Sequence, residues 1–306
     1  MVAYLKLIRW PNLLIIALVQ YLIRFAIIES LNLPHVLSHG YFFLGVICSI
    51  ALAAGGYIIN DLYDLETDAL NKPHRITIGK GIKENSAWNL YYASVIIAMA
   101  SAYFLAQEAG VDDLWMIAPL AAVILYLYAY DLKARPFLGN FIVASLSALP
   151  VFLVGVFDVL PAANDENALQ VSQTIDVIIA YSLFAFGISF IREMIKDAED
   201  KVGDKASQYK TLALLLPQNI FKGIIILLLL AHIIPLVNYS WGIFENDTFS
   251  SFYLFLFVLA PLIYLIYKSV LARSPQDYKH ISTILKLVML TGILSMLIFT
   301  LSLMYI

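Results

Sequence analysis

The sequence contains nine blocks of about twenty apolar residues, and this pattern restricts the fold more than any other feature. A helix of that length crosses a hydrocarbon layer of about 30 Å. Transmembrane β-barrels alternate apolar and polar residues, and these blocks do not. We therefore predict an all-α, polytopic membrane bundle of about nine transmembrane helices, with residues 1–306 forming a single transmembrane domain. The predicted spans are residues 12–29, 41–60, 87–106, 114–130, 138–158, 174–194, 213–237, 250–269 and 284–305.

The overall composition also indicates a membrane protein. Hydrophobic residues make up 61% of the 306 residues and charged residues 13%, against about 45–50% and about 25% in soluble domains. The net charge is −3 and no basic tract is present, so we expect no nucleic-acid partner. Cys48 is the only cysteine, which excludes a disulfide framework and a multi-cysteine metal site.

Lysine and arginine are unevenly distributed between the two sides that nine spans define. Eighteen of the 19 lie on the N-terminal side, whereas the opposite connections, 30–40, 107–113, 159–173 and 238–249, hold none. The positive-inside rule then predicts a multi-pass protein of the cell (inner) membrane whose N-terminus is cytoplasmic. Only Arg24 lies elsewhere, near the far end of the first span, where we expect it to snorkel outward.

Two acidic clusters follow the second and the sixth predicted spans. The aspartates of the first are Asp61, Asp64 and Asp68, and those of the second are Asp197, Asp200 and Asp204, with Glu193 one turn earlier. Each set has the spacing i, i+3 and i+7, which places its members on one narrow face of a helix. Because an even number of crossings separates the two spans, both clusters are expected on the same side of the membrane.

Carboxylates that converge at one membrane surface repel one another unless cations lie between them. Acidic residues in a loop are usually solvated, and one such cluster would be weak support for a site. Two clusters with the same spacing on the same side favour a shared cation site, and hard oxygen ligands select Mg²⁺ or Ca²⁺. Because Mg²⁺ is usually bound by substrate phosphate as well, a phosphorylated substrate is expected.

Basic residues close to the clusters are candidates for binding that phosphate. Lys72 and Arg75 follow the first cluster, and Lys133 and Arg135 lie in the connection between the fourth and fifth spans. Arginine and lysine both suit phosphate oxygens. The positive-inside bias explains the same residues without a ligand, so both interpretations stay open at this point.

The motifs NDLYDLETD and KDAEDKVGD, in a chain of nine spans, resemble those of the UbiA superfamily of intramembrane prenyltransferases. Three further stretches are similar to motifs of this family: Arg-Trp-Pro-Asn at 9–12, Asn-Lys-Pro-His-Arg at 71–75, and Leu-Lys-Ala-Arg at 132–135 followed by Gly-Asn at 139–140. The second acidic stretch is most similar to that of digeranylgeranylglyceryl phosphate synthases, which attach a geranylgeranyl group to a glycerol phosphate lipid. The resemblance covers nearly the whole chain.

This resemblance implies Mg²⁺-dependent transfer of a polyprenyl group, geranylgeranyl in the first instance, from its diphosphate to a lipid-soluble acceptor. A prenylglyceryl phosphate is the first choice of acceptor, and the alternative is an aromatic acceptor of quinone biosynthesis, such as 4-hydroxybenzoate or a dihydroxynaphthoate. The six aspartates would hold the metal ions at a cytoplasmic active site. The residues implied in catalysis are Asp61, Asp64, Asp197 and Lys133.

Further residues are implied in binding the two substrates. Those expected at the diphosphate are Asn60, Lys72, Arg75, Lys133 and Arg135, and those expected in the acceptor pocket are Asn12, Tyr57 and Tyr126. Aromatic rings are also expected to stabilise the positive charge that develops on the allylic carbon. The candidates for this are Tyr57, Tyr63, Tyr126 and Tyr181.

A transporter is the main alternative from another functional class. Carrier sites lie near the middle of the bilayer, often at broken helices. Here the carboxylates lie at the ends of the spans, and the span interiors are almost free of charge. This distribution favours the enzyme.

Overall fold

The computed structural model describes residues 2–65, 76–206 and 208–305. In that part of the chain, nine helices are long and apolar enough to cross a membrane, as predicted. These nine helices are α1 (Trp10–Glu29), α2 (His39–Tyr63), α3 (Glu84–Ala109), α4 (Asp112–Tyr130), α5 (Leu138–Ala162), α6 (Ala168–Glu199), α7 (Gln218–Ile243), α8 (Thr248–Leu271) and α9 (Pro275–Met304). A short helix, Val2–Leu7, precedes α1.

Most of the helices extend beyond the apolar blocks that predicted them. The sixth was predicted over 174–194 and runs over Ala168–Glu199, because polar residues at its ends continue the hydrogen-bonded helix past the hydrocarbon layer. The predicted start of the seventh span, 213, is wrong. Residues Leu212–Leu215 form a separate short helix, and α7 begins only after Pro217, since proline disfavours a helical residue before it.

The two helices that carry the acidic clusters occupy central positions in the bundle. Helix α2 packs against α1, α3 and α4, and α6 packs against α5, α7 and α9. The C-terminal ends of α2 and α6 are thereby held among the ends of several other helices. This arrangement places both acidic ends where neighbouring elements can supply counter-charges.

Gly56 allows α2 and α4 to approach closely. A Cβ atom at this position would lie 2.8 Å from Cδ2 of Leu125, which is too short for a carbon–carbon contact. Small residues permit such approaches between membrane helices. Gly56 also lines the cavity described below, so its position serves both the packing of the helices and the wall of the cavity.

Arg24 does not snorkel outward as predicted but is buried in the bundle. Its side chain is 2% exposed, and its Nη1 donates to Asp158 Oδ2 at 2.6 Å, where the Asp158 side chain is 0% exposed. Nε donates to Glu29 at 2.7 Å, and Nη2 donates to the carbonyl of Leu37 at 2.9 Å. The prediction was wrong because the main partner lies 134 residues away, on α5.

Both members of this ion pair lie in π-helical segments, Leu22–Glu29 of α1 and Gly155–Val159 of α5. A π-helical turn holds more residues than an α-helical turn and shifts the side chains that follow it around the axis. Sequence periodicity calculated for a regular α-helix therefore does not reveal that these two residues face each other. The pair closes the end of the bundle opposite the acidic clusters.

The substitution Arg24→Met would leave the carboxylate of Asp158 buried without its cation. Breaking a buried ion pair on one side costs about 3–5 kcal/mol, whereas replacing both partners by apolar residues is often neutral. We expect chemical denaturation in detergent to show that Arg24→Met lowers the free energy of unfolding by this amount and that Arg24→Met/Asp158→Leu recovers most of the loss. A free energy of unfolding for Arg24→Met within about 1 kcal/mol of that of the unaltered protein would contradict the role given to this pair.

Candidate active site

A large cavity lies among the ends of the helices that carry the acidic clusters. Its volume is about 1200 Å³, and the aspartates that line it are Asp61, Asp64, Asp197, Asp200 and Asp204. We call these five residues the acidic mouth. Deeper in the bundle the lining is largely apolar and includes Val19, Leu149, Ile293 and Met296. The cavity therefore combines a charged region with a hydrocarbon-like interior.

The first acidic cluster is held in place by donors from other elements. Nη2 of Arg9 donates to Oδ1 of Asp61 at 2.7 Å, and Nζ of Lys133 donates to Oδ1 of Asp64 at 2.5 Å. At the end of α2, Nδ2 of Asn60 donates to Oδ2 of Asp64, the residue that follows the helix, at 2.6 Å. Asp64 thus has both carboxylate oxygens engaged, one by a cation and one by an amide.

The connection between α4 and α5 is shaped so that Lys133 reaches the cavity. Leu132–Ala134 forms one tight helical turn, and Phe137 adopts a left-handed φ of 65°. A Cβ atom at Gly139 would lie 3.0 Å from the Cα atom of Lys133, so glycine lets the start of α5 lie against this turn. The side chain of Lys133 is only 9% exposed.

The second acidic cluster lies at the end of α6 and continues into the next short helix. Nδ2 of Asn140, at the start of α5, donates to Oδ2 of Asp197 at 2.8 Å. The backbone N–H of Asp204 donates to the carbonyl of Asp200 at 3.1 Å, which extends the helical path past the end of α6. Asp204 is buried, within Lys201–Ala206.

The structure brings the two predicted clusters together on one cavity. Asp68, Lys72 and Arg75 lie outside the described residues. Within 2–65, 76–206 and 208–305, no three acidic, histidine or cysteine side chains converge closely enough to hold a metal ion by themselves. The hard oxygen donors of the acidic mouth nevertheless suit Mg²⁺, which usually takes a few carboxylates and completes its shell with water and substrate phosphate.

Arg9 is a site residue that sequence reasoning did not select. Its guanidinium lies 4.8 Å from the ring centre of Tyr57, and its backbone has a left-handed φ of 52°. Burial by itself would lower the pKa of Arg9, but the charge of Asp61, its hydrogen bond to Arg9, and the nearby Tyr57 and Glu193 together raise it. Non-glycine residues in this conformation are strained and cluster at functional sites. The sequence signal was present in Arg-Trp-Pro-Asn, but nothing in it indicated the partner.

Asn12 and Tyr57, both predicted in the acceptor pocket, line the cavity. Nδ2 of Asn12 donates to the hydroxyl of Tyr57 at 3.2 Å, and Oδ1 of Asn12 accepts from Nζ of Lys286 at 2.9 Å. Lys286, on α9, was counted in the sequence only as one of the residues of the basic side. It lines the same cavity, together with Arg192 and Lys196.

Three predicted residues that the structure describes are not among those that line the cavity: Tyr63, Tyr126 and Arg135. Tyr126 lies on another face of α4, where its hydroxyl is 2.9 Å from that of Tyr63. Tyr128 lines the cavity instead, because side chains two positions apart on an α-helix point about 200° apart around its axis. Arg135 pairs with Asp131 at 2.6 Å, and its side chain is 59% exposed.

Comparison with known proteins identifies the family. Residues 13–290 match the model of the UbiA prenyltransferase family. The chain belongs to this family. A digeranylgeranylglyceryl phosphate synthase of Saccharolobus solfataricus is 34% identical over 251 residues, which cover 81% of this chain and 80% of that protein. The family resemblance and the prenyltransferase class predicted from the motifs are thus confirmed.

Solved structures of UbiA proteins share the fold. One from work on digeranylgeranylglyceryl phosphate synthase in membranes aligns with a TM-score of 0.66 at 25% identity, over 97% of this chain and 97% of that one. A UbiA homolog from Archaeoglobus fulgidus, bound to GPP and Mg²⁺, aligns with a TM-score of 0.55 at 16% identity, over 96% and 99%. The roles of individual residues in this chain stay predictions.

Lys133 and Arg135 offer a matched test of the cavity, because they lie two residues apart and only one of them lines it. We expect Lys133→Gln to lower kcat/KM for prenyl transfer by about 10- to 100-fold, since a hydrogen bond to a charged group is worth about 1.5–3 kcal/mol. Arg135→Gln should change it less than about threefold, as expected for an exposed ion pair. Equal effects of the two substitutions would contradict this placement.

Proposed function

We propose that this protein transfers a geranylgeranyl group from geranylgeranyl diphosphate to a hydroxyl group of a prenylglyceryl phosphate, in a reaction that depends on Mg²⁺. The observation that carries the proposal is the cavity, which gathers five aspartates at one end and apolar side chains at the other. A donor with a diphosphate head and a hydrocarbon tail matches both ends. The relatives named digeranylgeranylglyceryl phosphate synthase support this choice of acceptor.

The acidic mouth would hold Mg²⁺, together with Asp68, which lies outside the described residues. Bound Mg²⁺ would neutralise the negative charge that develops on the leaving diphosphate. The Archaeoglobus homolog was solved with GPP and Mg²⁺ bound, which supports a prenyl diphosphate and Mg²⁺ as ligands of this fold. Lys133 lies at the same place, bound to Asp64, and we propose that its ammonium group also binds a diphosphate oxygen.

The proposed reaction exchanges one carbon–oxygen bond for another. The allylic C–O bond of the donor breaks, and its electron pair leaves with the diphosphate. The acceptor hydroxyl oxygen then bonds to the allylic carbon, and its proton passes to the diphosphate, which gains negative charge in the step. The apolar lining of the cavity excludes water, which would otherwise capture the allylic cation.

The tyrosines differ in how well they are placed to stabilise that cation. Tyr181 lines the cavity but lies 16 residues before Asp197 on α6, about 24 Å along the helix axis. Arg9 already lies over the ring of Tyr57. Tyr128 lines the cavity near the end of α4, close to Lys133 in the chain. We propose Tyr128 as the ring that faces the allylic carbon, where a cation–π contact would form.

Product analysis with purified protein in detergent tests this function. The protein would be incubated with labelled geranylgeranyl diphosphate, Mg²⁺ and one acceptor at a time: a prenylglyceryl phosphate, 4-hydroxybenzoate or a dihydroxynaphthoate. We expect an ether product from the prenylglyceryl phosphate only, and none after Mg²⁺ is removed with EDTA. Product from an aromatic acceptor alone would overturn the proposed acceptor, and no product from any acceptor would overturn the function.

We further propose that the protein lies in the cell (inner) membrane with its N-terminus and its acidic mouth on the cytoplasmic side. The support is the distribution of lysine and arginine along the chain, since cytoplasmic connections are enriched in both. The same assay on sealed vesicles tests the orientation, because a charged diphosphate does not cross the bilayer unaided. Inverted vesicles should use external donor at once, and right-side-out vesicles only after permeabilisation; the reverse would contradict the orientation.

A further inference from the structure

Among the described residues, four cations line the cavity besides Arg9 and Lys133, which pair with the acidic mouth: Lys6 in the short helix before α1, Arg192 and Lys196 on α6, and Lys286 on α9. We call Arg192, Lys196 and Lys286 the basic wall. The spacing of Arg192 and Lys196 is i, i+4, so both lie on one face of α6. Lys286 reaches the same region from α9, which packs against α6.

A single carboxylate serves two of these cations. Oε1 of Glu193 accepts from Nζ of Lys196 at 2.7 Å and from Nη1 of Arg192 at 3.2 Å. The three cations of the basic wall therefore share one carboxylate of their own, and the next acidic side chain along α6, Asp197, belongs to the acidic mouth of the same cavity.

Lys286 has a neutral partner, the amide oxygen of Asn12, at 2.9 Å. Arg192, another cation, lines the same cavity. A lysine within an apolar helix whose hydrogen-bond partner is neutral is unfavourable for folding alone. Its position in the cavity wall is explained if the cavity binds an anion.

Arg192 retains an unused hydrogen-bond donor. Its Nε is buried and has no hydrogen-bond partner in the part of the chain that the structure describes. A buried donor without a partner costs about 1–3 kcal/mol. The side chain as a whole is 24% exposed, and a guanidinium group presents its N–H donors as a planar fork that suits two oxygens of one phosphate.

We propose that the basic wall is the binding site for the phosphate monoester of the acceptor, separate from the site at which the acidic mouth binds the donor. A phosphate monoester carries a charge of about −1.5 to −2 at neutral pH and has three acceptor oxygens, so it can pair with more than one of these cations at once. A carboxylate carries one negative charge and has two acceptor oxygens. This inference rests on the proposed function, because it takes the acceptor to be a phosphate-bearing lipid.

The test compares two ligands that differ only in the phosphate. Equilibrium binding of a prenylglyceryl phosphate and of the matching prenylglycerol is measured on purified protein, without donor and with EDTA, so that no metal ion mediates the contact. We expect the phosphate to tighten binding to the unaltered protein at least tenfold. In Lys286→Gln and in Arg192→Gln this advantage should fall by about 10-fold or more, while binding of the prenylglycerol changes less than about threefold.

Two further variants serve as controls. Lys222→Gln removes the positive charge of an exposed lysine on α7 whose Nζ donates to the carbonyl of Val270. This substitution should leave the affinity for both ligands unchanged. Arg192→Lys keeps the charge and should recover part of the phosphate advantage. Thermal unfolding of each variant in detergent identifies any that fail to fold, and the remaining ones decide the test.

Kinetics separate this inference from the proposed function. In the transfer assay, Lys286→Gln should raise KM for the prenylglyceryl phosphate and leave KM for geranylgeranyl diphosphate within about twofold. A rise in KM for the donor instead would assign the basic wall to the diphosphate and overturn the inference. Phosphate-dependent binding without transfer would overturn the function alone. Equal binding of the two ligands to the unaltered protein would overturn the phosphate site.

Discussion

Five aspartates gathered at one cavity inside a bundle of apolar helices are the constraint on which the rest of the structure depends. Like charges in surroundings of low dielectric repel strongly, and a carboxylate that loses water needs donors. Arg9, Lys133 and Asn140 supply these donors from three elements outside the two acidic helices. The acidic mouth therefore forms only when the start of α1, the α4–α5 connection and α5 have packed against α2 and α6.

The cavity distributes charge in a way that suits two anionic amphiphiles. At the acidic mouth a ligand must bring or recruit divalent cations, as a diphosphate does. At the basic wall an anion pairs directly with arginine and lysine. Both regions open onto the same apolar interior, which accommodates hydrocarbon chains. Two substrates of similar shape would thus bind in different parts of the cavity, because one head group needs divalent cations and the other pairs directly with basic side chains.

Local sequence patterns predicted the features that depend on nearby residues. The nine spans follow from block length, and the acidic faces follow from the i, i+3, i+7 spacing. Features that depend on distant partners were not predictable in this way. The burial of Arg24 depends on Asp158, and the pairing of Arg9 with Asp61 joins residues 52 positions apart. Tyr126 was predicted and Tyr128 was not considered, because the sequence does not show which face of α4 meets the cavity.

We propose that the acidic ends of α2 and α6 bind divalent cations jointly. The most direct measurement is equilibrium binding of Mn²⁺, followed by the EPR signal of the free ion, to purified protein with inorganic diphosphate. Asp64→Asn and Asp197→Asn should each weaken binding at least tenfold, whereas Asp113→Asn, at the start of α4 and outside the cavity lining, should have no effect. Unchanged binding in either of the first two variants would contradict a shared site.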